Sequence, residues 1–243
     1  MTRFANSVTG SPGDDSARMD RVLDAAADLL VRWGYRRVTV EDVARHAGVG
    51  KGTVYLHVRT KDALFLTVLL RSQRRLFADL ADRMAAEPAT VLPWRMTRLL
   101  YERLQADDVA RALYLGDAEV LGRLAHEAAG TLGELARKRT EAVRLHFALL
   151  RGAGLVTDDL PPQEQIHIWG ATAFGFFLAA GLPGDPFAPQ DPSRRPVLLE
   201  HALHALLAGP ADPSAAASIA DRVADLYRPL VAHIDDEWTR RAR

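Results

Sequence analysis

Cysteine is absent from the 243 residues, which excludes disulfide staples, thiolate nucleophiles and cysteine-based zinc sites and permits a reducing compartment. No charge sign dominates either, with Lys and Arg numbering 31 and Asp and Glu 31. A chain so balanced does not coat nucleic acid along its whole length, so any nucleic-acid site has to be local. Strand-like alternation, internal repeats and low-complexity tracts are all missing. The opening "MTRFANSVTGSPGDDS" lacks the apolar stretch of a secretory signal, and residues 1–16 read as a flexible tail. The least charged segment, Gln165 to Gly184, barely reaches the roughly 20 apolar residues of a membrane span. It is also diluted by His167 and Thr172 and flanked by Glu164 and Asp185 rather than by cations. It reads as a helix buried in protein, and the chain as cytoplasmic with no membrane segment.

Catalytic and metal-binding patterns are missing as well. There is no Gly-x-Ser-x-Gly, no phosphate loop and no Glu-x-x-His pair, so no reaction can be assembled. His201 and His204 stand beside Glu200 without a further ligand nearby, which is too few donors for a metal site. No cofactor, metal or enzymatic activity is expected.

What the sequence has in quantity is helical spacing. A first helix over about Ala17 to Trp33 carries Val22, Ala26, Leu29, Leu30 and Trp33 on one stripe, and Gly34 stops it. Thr39 with Asp42 forms a variant capping box for a second helix ending near His46. Gly48 stands where a left-handed turn residue is required, and a third short helix covers Lys51 to His57. Thr60 caps a fourth, whose stripe of Phe65, Val68, Leu69, Ser72, Leu76, Leu80 and Met84 runs to about Ala86. That makes a rod of roughly 35–40 Å, too long for the head alone and suited to joining it to the rest. Further helices are predicted at Leu92–Gln105, Val109–Leu115, Ala118–Glu127, Leu132–Arg151, Pro162–Ala180, Arg195–Leu207 and Pro213–Arg240. The architecture is all-α: a helix-turn-helix head over 17–64 and a larger helical body over 65–243.

Two short helices joined by a glycine corner make a unit whose second helix fits a DNA major groove about 12 Å wide. In that second helix Gly50 and Gly52 allow close approach, Lys51 supplies a cation, and Thr53, Tyr55 and His57 supply hydrogen-bonding tips. Lys61 lies in the first turn of the fourth helix, where the dipole disfavours a cation and a DNA phosphate would reverse the penalty. Arg36, Arg37 and Arg59 extend this basic edge.

The stretch "RVLDAAADLLVRWGYRRVTVEDVARHAGVGKGTVYLHVRTKDALF" resembles the DNA-binding domain of the TetR family of bacterial transcriptional regulators. The resemblance rests on Gly34-Tyr35, Thr39, the Ala47-Gly48-Val49 corner, the run from Lys51 to Tyr55, and the run from Lys61 to Phe65. It implies that Thr39, Tyr55 and Lys61 grip phosphates while Lys51, Gly52, Thr53 and His57 lie along the groove. Two positions depart from the family pattern: Gly50 stands where a serine is frequent, and Val58 where an aromatic is usual.

The resemblance further implies a homodimer, a small-molecule inducer held by the body, and repression from a palindromic operator. The residues offer a dimer surface in Ile166, Trp169, Gly170, Ala173, Phe177 and Ala180, with a second stripe of Ile219, Val223, Leu226, Leu230 and Ile234 on the last helix. Candidate pocket residues are Trp94, Met96, Tyr101, Tyr114, Phe147 and Phe174, with His126, His146 and Trp169 as polar tips, which suits a mainly apolar ligand. The alternative is a DNA-binding regulator with no inducer, whose body only dimerises or docks a protein and is fully packed.

Overall fold

Every predicted helix that falls among the described residues forms, and side-chain caps set the starts of two helices in the head. The computed structural model describes residues 12–114, 129–179 and 188–241. The expected helix at 118–127 therefore lies outside them, as do residues 1–11 of the expected tail. Helix α1 spans Pro12–Trp33, so residues 12–16 of the expected tail are helical instead, with a proline at the helix start, where it is favoured. It ends at Gly34, whose φ of 75° satisfies the left-handed stop. Trp33 departs from its stripe: it is 46% exposed in the last turn, whereas Val22, Ala26, Leu29 and Leu30 are buried.

Helix α2 spans Val40–His46 with the full capping box at Thr39 and Asp42. Its end is a left-handed corner at Gly48, φ 67°. There the Gly48 amide donates to the Arg45 carbonyl at 3.3 Å and the Val49 amide to the Ala44 carbonyl at 3.0 Å, a Schellman arrangement. Helix α3 spans Lys51–His57, and α4 spans Lys61–Ala86, its start capped by Thr60, which accepts from the Ala63 amide at 3.0 Å.

The body follows with α5 at Pro93–Ala106, α6 at Asp108–Tyr114, α7 at Ala129–Gly152, α8 at Pro162–Ala179, α9 at Arg194–Leu207 and α10 at Ala220–Arg241. Two 3-10 turns, Pro88–Val91 and Pro213–Ser218, connect them. The second replaces the expected start of the last helix, because Asp212 caps a tight turn by accepting from the Ser214 amide at 2.8 Å. Among the described residues the only β pairing is a bridge between Val156 and Ala208.

Helix α4 organises the rest. It packs on α1 in the head, on α6, and along α10. Because it is covered on so many sides, every residue from Leu64 to Leu70 is buried, a run that no single-faced amphipathic helix shows. One apolar cluster therefore extends from Met19 in the head to Ile234 in α10. Ion pairs brace the same junctions: Arg71 with Asp24 of α1 at 2.7 Å, and Arg74 with Asp235 of α10. In the rest of the body α9 packs on α5 and α8, while α7 packs on α8 and α10.

Candidate nucleic-acid interface

The head's geometry follows from where α3 buries its one apolar anchor. Val54 is fully buried, so successive steps of about 100° per residue turn Lys51 and Tyr55 to one flank and Gly52 and Leu56 to the side opposite the core. The structure brings the expected Gly50, Lys51, Gly52, Thr53 and Tyr55 onto this short exposed element, with Thr53 half-buried and Tyr55 40% exposed. The His57 side chain lies outside the described residues. Leu56, which its apolar character kept out of the expected set, is 80% exposed.

Lys51 and Lys61 are already engaged within the head. Lys51 Nζ pairs with the Glu41 carboxylate of α2 and lies 5.6 Å from the centre of the Tyr55 ring. The hydrogen bond between them raises the Lys51 pKa and lowers that of Glu41. Lys61 Nζ sits 4.3 Å over the Tyr35 ring and donates to the Arg36 carbonyl at 3.4 Å. Its unfavourable place near the dipole is thus offset inside the chain, by the ring face and by Asp62 in the same turn.

Thr39 has an equally local task. Its hydroxyl donates to Asp42 Oδ2 at 2.6 Å and accepts from the Asp42 amide at 3.1 Å. The Thr39 hydroxyl, then its amide, hold the Asp42 carboxyl below the usual range, with Arg45 adding to the effect.

At the departures from the family pattern, Val58 fills its place as a buried core residue. Gly50 supplies the N-cap carbonyl of α3, accepting from the Thr53 amide at 2.9 Å. A Cβ there would meet only Thr53 Oγ1 at 3.6 Å, so the position has room for the family's serine.

In the body, five of the candidate pocket residues are packed away from solvent. Trp94, Met96, Tyr101, His146 and Phe147 are all buried. Phe147 meets Trp169 with ring centres 5.5 Å apart, Tyr101 meets Phe177 at 5.1 Å, and Trp169 Nε1 donates to Thr97 Oγ1 at 2.8 Å. His126 and the Tyr114 side chain lie outside the described residues. Phe174 separates from this set: it is 62% exposed, because one step beyond buried Ala173 points it off the core face of α8.

His146 is a structural group rather than a free polar tip. Its Nε2 lies 2.7 Å from the Val91 carbonyl and its Nδ1 2.9 Å from the Tyr227 hydroxyl. A carbonyl only accepts, so Nε2 carries the proton and Nδ1 accepts from Tyr227. Burial lowers the His146 pKa to about 4 and raises that of Tyr227. An open cleft of about 460 Å³ lies elsewhere, between α4, the end of α5 and the start of α6. Arg75, Asp79, Arg103, Asp107 and Asp108 line it together with Leu76, Leu104 and Val109, a mixed setting rather than the apolar pocket expected from the sequence.

The expected dimer stripe on α10 is largely used inside the chain, whereas the one on α8 is only partly covered. Ile219, Val223, Leu230 and Ile234 are buried and Leu226 is half-buried, because α10 lies along α4 and α7. On α8, Ala173 is buried while Ile166, Trp169, Gly170 and Phe177 are half-buried, and Ala180 lies outside the described residues. The apolar residues left open are Phe174 and Leu178 on the outer side of α8 and Leu198 and Leu206 on α9, between 39% and 62% exposed.

None of the described helices is long and apolar enough to cross a membrane, and no group of metal-binding side chains occurs among the described residues.

Residues 22–68 match the family model described as bacterial regulatory proteins of the tetR family. The chain is 32% identical over 139 residues to the HTH-type transcriptional repressor KstR2 of Rhodococcus jostii, a match covering 53% of this chain and 64% of that protein. It therefore spans less than two thirds of that relative. It is 31% identical over 157 residues to the HTH-type transcriptional repressor Rv1474c of Mycobacterium tuberculosis, covering 60% of this chain and 73% of the relative. The fold is similar to that of the fatty acid degradation regulator FadR from Bacillus halodurans, with a TM-score of 0.55 at 16% identity, covering 82% of this chain and 96% of that one. The chain belongs to the TetR family of bacterial regulatory proteins.

Proposed function

We propose that the protein is a dimeric repressor that holds a palindromic DNA operator through α3 and releases it when a small molecule binds the body. The observation that carries the DNA reading is the exposure of Lys51 and Tyr55 on the flank of α3 and of Gly52 opposite the buried Val54. Its relatives KstR2 and Rv1474c bear the name of transcriptional repressors. In a dimer, two such helices would occupy successive major grooves about 34–36 Å apart. The open apolar residues of α8 and α9, Phe174, Leu178, Leu198 and Leu206, support a second copy of this chain as their cover.

Inducer binding would act through α4, which runs from the head into the body and shares its core with α1 and α10. A ligand favouring a different α4 position would change the spacing of the heads and weaken operator binding. A second reading has its own support: the aromatic cluster around Phe147 is closely packed, as expected of a body that dimerises without an inducer.

The first experiment is a footprint of wild type and Tyr55→Ala on DNA flanking the gene, across a salt series. Protection of a palindrome by wild type alone, weakening steeply with salt, is the expected result. Equal protection by Tyr55→Ala would sink the assignment of α3. Sedimentation of wild type and Phe174→Asp tests the dimer, and a wild-type monomer at micromolar concentration would refute it. Loss of operator binding on adding candidate ligands separates the inducible reading from the closed-body reading.

A further inference from the structure

On α3 the residues farthest from the core are Gly52 and Leu56, one helical turn apart on the same line. Neither is explained by the fold of the chain itself. Gly52 costs helix stability relative to alanine, yet its backbone is not among the left-handed glycines and a Cβ built on it meets nothing within 4 Å. Leu56 is 80% exposed, while Val54 and Val58 on either side of it are almost wholly buried. Exposure of single apolar residues is common on protein surfaces. Here, however, it falls on the outermost line of the helix, next to a glycine that the chain has no steric reason to keep.

We infer that Gly52 and Leu56 form the base-reading ridge of α3: Gly52 lets the helix backbone sit close to the floor of the major groove, and Leu56 packs on the C5-methyl group of a thymine. The inference rests on the proposed DNA-binding role of α3. Its chemistry follows from what the groove displays, since the thymine methyl is the apolar group exposed there and is read by apolar side chains. The neighbouring groups fit a division of labour. Lys51 and Tyr55 lie on the flank, in contact with each other, where a cation and a phenol face the sugar-phosphate backbone. Leu56 has no hydrogen-bonding atom and contributes nothing to such backbone contacts. Its contribution is sequence preference, at a cost in solvent-exposed apolar surface when DNA is absent.

The test begins with a random-sequence selection using the wild-type protein, followed by a scan of the selected site in which each thymine is replaced in turn by deoxyuridine, which lacks only the methyl group. At one thymine in each half-site, the replacement is expected to weaken wild-type binding about fourfold, the affinity equivalent of one methyl-sized apolar contact. Leu56→Ala should bind the thymine site more weakly than wild type and lose no further affinity on the uracil replacement. Its thermal midpoint should match wild type, because the side chain touches solvent. Gly52→Ala should keep or raise the midpoint and lose about tenfold or more in affinity, through enforced distance from the bases.

A selected half-site with no thymine facing α3, or methyl effects that are the same in wild type and Leu56→Ala, would overturn the role of Leu56. Wild-type affinity in Gly52→Ala would overturn the close approach. If the wild type selects no sequence and binds no DNA, the DNA-binding reading itself falls, a result distinct from binding without a methyl effect.

Discussion

Replacing His146 by Gln is the most direct test of how the body holds the end of α4. The ring is fully buried, donating to the Val91 carbonyl in the turn that follows α4 and accepting from Tyr227 of α10, whose hydroxyl oxygen is also 3.6 Å from Met96 Sδ. Burial lowers its pKa from 6.5 to about 4 in the folded protein. The unfolded chain takes up a proton as pH falls through the ordinary value, while the folded protein resists until pH approaches 4. The stability that the neutral ring contributes is therefore fully present above pH 6.5 and lost as pH falls toward 4. The loss amounts to about 2 kcal/mol by pH 5 and about 3 kcal/mol by pH 4. Gln keeps a donor and an acceptor at the site and does not titrate. Urea unfolding of wild type and His146→Gln, followed by tryptophan fluorescence at pH 7.5 and pH 5, isolates this contribution because the surface carboxylates are common to both proteins. The wild type should lose about 2 kcal/mol more than the variant over that interval. Equal losses would refute the buried, neutral ring.

Gly209→Ala should destabilise the protein by about 2 kcal/mol or more, because the new Cβ would lie 2.3 Å from the Gly154 carbonyl oxygen and 2.7 Å from Val156 backbone. Gly133→Ala, on the open surface of α7, is the control and should stabilise slightly, with denaturant midpoints as the readout. Thr39→Ala removes both hydroxyl bonds of the capping box and should cost about 1 kcal/mol, and an unchanged midpoint would show that Asp42 caps α2 unaided. Glu41→Gln releases Lys51 from its intramolecular partner. Operator binding should become tighter at low salt and its log-log salt slope steeper by about one counterion, whereas unchanged binding would place Lys51 outside the interface.

The sequence makes the head legible because its signals are local. Thr39 with Asp42 fixes the start of α2, Gly48 fixes the corner, and Thr60 fixes the start of α4, each through bonds spanning only a few residues. The outward side of α3 follows from its one buried valine, Val54, which a helix this short can turn inward in only one way. Leu56 escapes such reading because an apolar residue in a short helix is normally assigned to the core, and only the position of Val54 shows that it points the other way.

The body is different, because one-dimensional spacing reports that a helix has an apolar stripe but not which surface covers it. The stripe of α10 is as suitable for a second copy as for α4, and the structure places it against α4 of the same chain. That choice has a mechanical consequence. Helices α1, α6 and α10 all pack on α4, and one apolar cluster runs from α1 through α4 to α10, so turning the head on α4 would disturb a core that α10 shares. If the body transmits a signal to the heads, α4 and α10 must move as a pair, and the His146 contacts with Val91 and Tyr227 tie the ends of that pair to α7.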